Sequence, residues 1–392
     1  MKELHLALIG GPQYDGLLEL LPAFEQQTGY RLHVDVRLPH VELNERMAKD
    51  LGTENGHYDI ISTHTKYCPS QAEHLRPLDE LVDADELTDF VPRVLELCRF
   101  ANGTDQTHEK LMQLPRNFDA RILFYRADLI TAPQTWNEAA TQMVEHKRDN
   151  FYGFAFPGRH SGLFGTFYEL LGMAGGDLFD ADLNPIFNSE AGEWSLNFLH
   201  RLHSVDRVTP PDLVENWYYD EISSRFRDGD VLMAGDFPGF YGLYQKRETC
   251  KVFDQFDVAV YPAGPAGIRK SYAGGHSFAI PKAARDPEGG LALAKYLSSA
   301  EVQWHEASVG GHTPVRKSIF EKIKLNQSGR DAKRMAVLEE TITHYAMVPP
   351  KFAKYPLIED ILWSGVQEAM TGKYTPKEAL LLMENKVSEV LQ

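Results

Sequence analysis

Leu4, Leu6 and Leu8 alternate with His5 and Ala7 before Gly10-Gly11-Pro12 interrupts the run, a pattern that predicts a short strand followed by a tight loop. Leu17, Leu20, Leu21 and Phe24 then recur at helical spacing, with Pro22 in the early turns and Thr28-Gly29 as a C-terminal stop. Leu32, Val34 and Val36 resume the alternation, and Tyr58-Asp59-Ile60-Ile61-Ser62 reads as a third strand. This βαβ rhythm predicts an α/β fold of mainly parallel sheets flanked by helices. Asp286-Pro287-Glu288 combines a cap acceptor, a first-turn proline and an acid at the positive end of a helix dipole. Thr375-Pro376-Lys377-Glu378 is a capping box that starts a final packed helix through Ala379, Met383, Val387 and Val390.

In a parallel sheet the loops at the carboxyl ends of the strands converge on one crevice. Gly11 to Tyr14, Leu38 to Val41 and Thr63 to Lys66 are therefore candidate ligand loops, although each also serves simply to turn the chain. A chain of 392 residues exceeds one ordinary core, which predicts two lobes. Hydrophobic residues make up 43% and charged residues 24%, and no stretch approaches the ~20 apolar residues of a membrane helix. A formal net charge of −16, with no basic cluster to offset it, argues against nucleic acid as a partner. Cys68, Cys98 and Cys250 form no CxxC pair and are expected as buried thiols. The chain enters its first strand pattern directly after Met1-Lys2-Glu3, without the charged and apolar segments of a signal peptide. That start fits a cytoplasmic protein or one whose signal has been removed.

Enzymatic motifs fail on context. Gly275-His276-Ser277-Phe278-Ala279 approaches a hydrolase nucleophile elbow, but Ala279 replaces the last glycine and Ile280-Pro281 prolongs an extended segment where a helix should start. Asp180, Asp182 and Asn184 begin like a calcium loop, yet Pro185 stands at the turn glycine and Ala191 at the bidentate glutamate. His200 and His203 share a helix face without an evident third zinc ligand. No P-loop or dinucleotide fingerprint follows a strand, so neither a cofactor nor a metal is expected. A glycosidase carboxylate pair is not excluded by counting acids.

Aromatic residues reach 11%, and Tyr14, Phe118, Trp217, Tyr218, Tyr219, Phe237, Phe240 and Tyr241 lie in polar or glycine-rich settings. Sugar C–H faces suit aromatic planes, while sugar hydroxyls suit Asp, Asn, Gln, His and Arg; for any single ring, core packing is the commoner fate. The chain resembles the family 1 extracellular solute-binding proteins, the carbohydrate receptors of ABC importers that include maltose-binding-protein-like members. The resemblance runs nearly end to end, through Phe24 to Gly29, Tyr58 to Ile61, Leu114-Pro115 and Leu123 to Leu129, then Gly172 to Asp177, Phe226 to Met233, Gly274-Gly275, Ala279 to Pro281 and Thr313 to Arg316. Two features depart from the family pattern. Asp236-Phe237-Pro238-Gly239 stands where a tryptophan is common, and Arg126 where an asparagine is common.

The resemblance implies a two-lobe periplasmic-binding-protein-like fold with the ligand cleft between the lobes. Residues 1–115 with 276–315 would form the first lobe, and 116–275 with 316–392 the second. Carried over by position, the first lobe would contribute Gln13, Tyr14, His40, His64 and Thr65, while Gly275, His276 and His312 would lie at the returning crossovers. Asn117, Asp119, His160, Trp217, Tyr218, Asp236 and Phe237 would complete the site. The implied function is non-enzymatic capture of a sugar, oligosaccharide or polyol by hinge closure, followed by presentation to the membrane permease. An exported monomer, periplasmic or lipid-anchored, is expected. The alternatives are a glycoside-processing enzyme and a receptor for a non-sugar or anionic ligand.

Overall fold

The computed structural model describes residues 2–11, 14–53, 57–102, 105–309 and 311–392. The chain divides into two compact units, one of residues 1–119, 274–327 and 349–355, the other of residues 120–273, 328–348 and 356–392. Among the described residues no helix is long and apolar enough to cross a membrane.

The first unit is built on β1 (Lys2–Ile9), flanked by β2 (Tyr30–Leu38) and β3 (Ile60–His64), both parallel to it. A central strand is covered on both faces, and β1 divides its side chains accordingly. Leu4, Leu6 and Leu8 face a core with Leu21, Phe24, Leu291, Leu293 and Leu297. Ala7 and Ile9 face a second core with Tyr14, Leu43, Met47, Ile61 and Ala279. Each leucine removed from water in this way contributes roughly 1.5–3 kcal/mol. The helical spacing around Pro22 resolves into two helices, Asp15–Leu18 and Leu21–Thr28. Pro22 lies in the first turn of the second, where a missing N–H costs nothing, and Gly29 ends it at φ 74°. The unit also carries the hairpin of β4 (Arg99–Asn102) and β5 (Asp105–Leu111), and most of β6 (Leu114–Ala120).

In the second unit β7 (Ile122–Arg126), β8 (Tyr152–Ala155), β9 (Val231–Asp236) and β10 (Phe256–Ala259) form one sheet in the order β10-β7-β9-β8. β11 (Ser271–Ala279) leaves this unit, where its first residues pair parallel to β12 (Ala346–Met347), and returns to the first, where His276 to Ala279 pair antiparallel to β3. The expectation of mainly parallel sheets is therefore corrected to mixed sheets. β7 pairs antiparallel to both β9 and β10, whereas β8 pairs parallel to β9.

Local expectations for caps and decoys have clear counterparts. Asp286 caps the helix Pro287–Leu297 by accepting from Gly289 N, and Thr375 and Glu378 form the capping box of Pro376–Leu391. Ser277 lies in extended β11, so there is no elbow there. Asp180 folds a polar turn by accepting from the amides of Asp182 and Asn184. His200 turns its Nδ1 to the carbonyls of Ala369 and Met370, whereas His203 pairs with Thr209. All three cysteines are buried free thiols.

Asp59 holds the first unit at a point where three peptide N–H groups meet. It is 1% exposed, and it accepts from His5 N at 2.9 Å, Arg285 N at 2.9 Å and Asp286 N at 2.8 Å. The carboxylate thus ties β1 to the cap of the helix Pro287–Leu297. Asp59→Ala leaves three amides without an acceptor and is expected to cost at least about 3 kcal/mol in urea unfolding. Asp59→Asn should recover only part of this, since its NH2 faces a donor; full recovery would contradict the role of the charge.

Candidate functional site

The carboxyl ends of β1, β2 and β3 bring together most of the first unit's predicted residues. Tyr14 follows β1, His40 opens the helix His40–Asp50 after β2, and His64 ends β3. His276 pairs with His64 across the β3–β11 ladder, so register alone sets the two side chains side by side. The rings of His40, His64 and His276 form a triangle with centroids 5.0, 5.1 and 5.3 Å apart. His40 Nδ1 lies 3.2 Å from His276 Nε2, and Tyr14 Oη lies 3.4 Å from the same nitrogen. Gly274 and Gly275 permit this approach. A Cβ on Gly274 would lie 2.5 Å from His64 Nε2, and one on Gly275 would lie 2.6 Å from the Asn117 carbonyl oxygen. Thr65 is structural at its backbone, donating to the Gly275 carbonyl at 3.0 Å.

The amide of Lys66 donates to His64 Nδ1 at 3.1 Å, which assigns the ring proton of neutral His64 to Nε2. Burial pushes His40 down to about 3, and the Lys66 charge adds to the effect. His64 and His276 are likewise held well below the ordinary value, first by burial and then by neighbouring rings and Lys66, with Arg116 acting on His276 as well. The triangle is therefore neutral near pH 7. The triangle also lines a narrow crevice shared with Ile9, Asn44, Met47, Ser62, Tyr67 and Gln71. Among the described residues no group of three or more His, Cys, Asp or Glu is arranged to hold a metal ion.

Tyr14 also packs on Arg116, 4.8 Å from the guanidinium carbon, and stacks with His312 at 6.2 Å. Arg116 is 1% exposed and donates through Nε and Nη2 to Glu306. Asn117 Nδ2 donates to Asp119 Oδ2 at 2.5 Å, and Asp119 Oδ1 accepts from Thr313 N at 3.3 Å. The buried polar atoms here without a hydrogen-bond partner among the described residues include Arg116 Nη1, Asn117 Oδ1, His276 Nδ1 and Thr313 Oγ1. Gln13 lies outside the described residues.

In the second unit His160, Tyr218 and Phe237 come together. His160 begins the helix His160–Met173 at φ 51°, a left-handed conformation that costs a non-glycine residue about 1–2 kcal/mol. Its ring lies 6.1 Å from Tyr218 and 5.0 Å from Trp363. Tyr218 shares a hydrogen bond with Ser161 at 2.9 Å, and burial pushes its hydroxyl up to about 12. Tyr219 packs 4.6 Å from Tyr218 and 5.1 Å from Phe237. Trp217 does not join this surface: it is 3% exposed, and its indole N–H donates to Asp212 at 3.0 Å. Asp236 ends β9, and its side chain lies outside the described part of the chain.

Trp363 and Arg121 belong to these clusters without having been expected there. Trp363 reads as an ordinary helix aromatic in Tyr355–Met370, and no local signal distinguishes it. Arg121 could have been suspected from its position just after Asn117 and Asp119, in a stretch otherwise rich in apolar residues.

Comparisons with known proteins agree on the class. The family model described as bacterial extracellular solute-binding protein matches residues 19–333. A probable ABC transporter-binding protein of Deinococcus radiodurans is 24% identical over 97% of this chain and 91% of its own length. A probable amino-acid ABC transporter periplasmic-binding protein of Sinorhizobium fredii is 23% identical over 97% and 88%. Among solved structures, maltose-bound MalE3 of T. maritima matches with a TM-score of 0.87 at 24% identity, covering 99% of both chains. A solute-binding protein of Agrobacterium radiobacter K84 in complex with ribitol matches at 0.86 and 22% identity, covering 99% of this chain and 98% of that one. These likenesses establish the fold.

The depressed histidines make stability depend on pH. An unfolded histidine takes up its proton near pH 6.5 whereas the packed ring does not, so stability is fully present above about 6.5 and is lost as pH falls towards the folded value. Between about pH 7.5 and pH 5.5 each ring should cost about 1 kcal/mol. Urea unfolding of the wild type against the combined His40→Asn, His64→Asn and His276→Asn variant checks this, and parallel pH profiles would show that the rings are not the source.

Proposed function

Because the chain belongs to the bacterial extracellular solute-binding proteins, we propose that it captures a sugar or polyol for an ABC importer and delivers it to the permease unchanged. The supporting observation is the mixed set of buried polar atoms without protein partners. Arg116 Nη1 can only donate, Asn117 Oδ1 can only accept, and Thr313 Oγ1 can do both. An unsatisfied buried polar group costs about 1–3 kcal/mol, so a solute that supplies both hydrogen-bonding roles gains by filling them. Every hydroxyl supplies both. A carboxylate alone would answer the donors and leave Asn117 without a donor. The rings of Tyr14 in the first unit and of Tyr218, Phe237 and Trp363 in the second provide apolar faces of the kind that sugar C–H surfaces pack against.

Hydrolysis has less support. A glycosidase needs one carboxyl to give up a proton and another to attack or activate water. In the first unit Glu306 is engaged by Arg116, and Asp119 by Asn117 and the Thr313 amide. Both are anchored acceptors. Secretion, with the chain periplasmic or lipid-anchored and acting as a monomer, completes the reading.

Thermal denaturation against maltose, tagatose, ribitol, mannitol and a set of amino acids tests the proposal. A binding sugar or polyol at about a hundredfold excess over its Kd should stabilise the protein by about 2.7 kcal/mol. Calorimetry should then give a micromolar Kd, equivalent to about −8 kcal/mol. Asn117→Ala should weaken it by about ten- to a hundredfold, the loss of one or two hydrogen bonds to the solute, and Asp119→Ala, which releases the Asn117 side chain it holds, by about tenfold. Stabilisation by amino acids alone, or release of cleaved product, would overturn this reading.

A further inference from the structure

We propose that Arg121 is a positioning residue for solute binding, its guanidinium fixing the aromatic surface of the second unit in place. This inference rests on the reading that this surface contacts the solute. Arg121 lies on the link between β6 and β7 and is fully buried. Nη1 donates to Thr166 Oγ1 at 2.8 Å and to Glu169 Oε2 at 3.0 Å. Nη2 donates to the Gly162 carbonyl at 2.6 Å and to the Tyr219 hydroxyl at 2.8 Å. The four terminal N–H bonds are thus all committed, three of them along the helix that His160 opens and the fourth to the ring beside Tyr218.

Three rings surround the same group. Tyr272, Phe237 and Tyr219 have centroids 5.2, 5.5 and 5.6 Å from the guanidinium carbon. Glu169, which neutralises Arg121, uses its other oxygen to accept from Tyr272 N at 2.6 Å. The helix is pressed close: a Cβ on Gly165 would lie 2.6 Å from Tyr272 Cδ1 and 2.8 Å from Arg121 Nη2. Burial is the strongest single influence on the Arg121 charge and acts against it, but Glu169 together with the Tyr219 and Tyr261 hydroxyls outweighs it, and the guanidinium stays protonated. Arg121 therefore fixes where the helix bearing His160 and Ser161 begins, how Tyr219 is turned, and what Phe237 leans on.

A buried ion pair that served stability alone could be exchanged for apolar side chains of similar volume at little cost. Positioning through the Tyr219 hydroxyl and the Gly162 carbonyl could not survive that exchange. The test therefore uses the double variant Arg121→Met with Glu169→Met, which leaves no buried charge unpaired, beside Tyr219→Phe, which removes only the hydroxyl that Arg121 holds. Both are compared with wild type by melting temperature, by calorimetry with whichever of maltose, tagatose, ribitol or mannitol the wild type binds, and by fluorine NMR of 3-fluorotyrosine protein with the Tyr219 signal assigned from its loss in Tyr219→Phe.

The expected result is a double variant melting within about 5 °C of wild type, with the Tyr219 signal shifted or broadened and affinity at least about tenfold weaker. Tyr219→Phe should lose several-fold. A double variant that binds as wild type does, or whose Tyr219 signal is unchanged, overturns the proposal. If the wild type binds none of the four solutes, the sugar reading fails instead, and the ligand-free Tyr219 signal still decides whether Arg121 positions the surface.

Discussion

Two buried arginines five residues apart set the terms for much of this molecule. Arg116 and Arg121 are each essentially inaccessible to water, and each is neutralised within its own unit, Arg116 by Glu306 and Arg121 by Glu169. A guanidinium moved out of water without a counter-charge would cost far more than a domain's net stability. The helices that supply Glu306 and Glu169 are therefore committed to fixed places beside the chain segment that holds the arginines. Around each pair the functional groups are hung in turn: Tyr14 lies over Arg116, and Tyr219, Phe237 and Tyr272 surround Arg121. The same polar anchors that specify the packing of each unit thus carry its candidate ligand surface. Tyr14 and Tyr219 inherit their orientation from groups that cannot move cheaply.

What could be read without coordinates followed from the range of the physical signal. Caps and stops are local, and Gly29, Asp286 and Thr375 carry out the roles that their neighbours imply. The period of two in Leu4, Leu6 and Leu8 reflects one face of β1, and the burial of Ala7 and Ile9 reveals a second covered face that alternation alone does not announce. Histidines at strand ends were legible because the ends of parallel strands are where loops converge. The antiparallel pairing of β11 with β3 was not legible. It joins residues more than two hundred positions apart, and nothing near His276 in the chain names His64 as its partner.

Aromatic residues mark the limit most clearly. Trp217 and Tyr218 are adjacent in the chain and look equally suited to stacking, yet one indole is buried with its N–H on Asp212 while the other ring meets His160. Which way each side chain turns depends on the start of the helix Tyr219–Asp228 and on what packs behind it, which is tertiary information. Trp363 shows the converse. It lies in a helix with no ligand-like neighbours in sequence, and only folding sets it beside His160.

The protonation pattern of the first unit bears on what kind of solute it suits. Because a peptide N–H holds His64 Nδ1 as an acceptor, Nε2 of the neutral ring carries the proton. His40 Nδ1 and His276 Nε2 are in hydrogen-bond contact, so in the neutral state one must donate and the other accept, and the proton left over appears on the far side of whichever ring accepts. A neutral histidine triangle therefore presents donors and acceptors in fixed number, with no net charge of its own. A cationic guest would meet Lys66 and Arg116 nearby, whose charges already help to hold the rings unprotonated. An anion would favour protonation of the rings, against the burial that keeps them neutral. A hydroxyl asks for neither change, since it can turn to complement each nitrogen as it stands. The polyol proposed above would leave this proton arrangement as it stands.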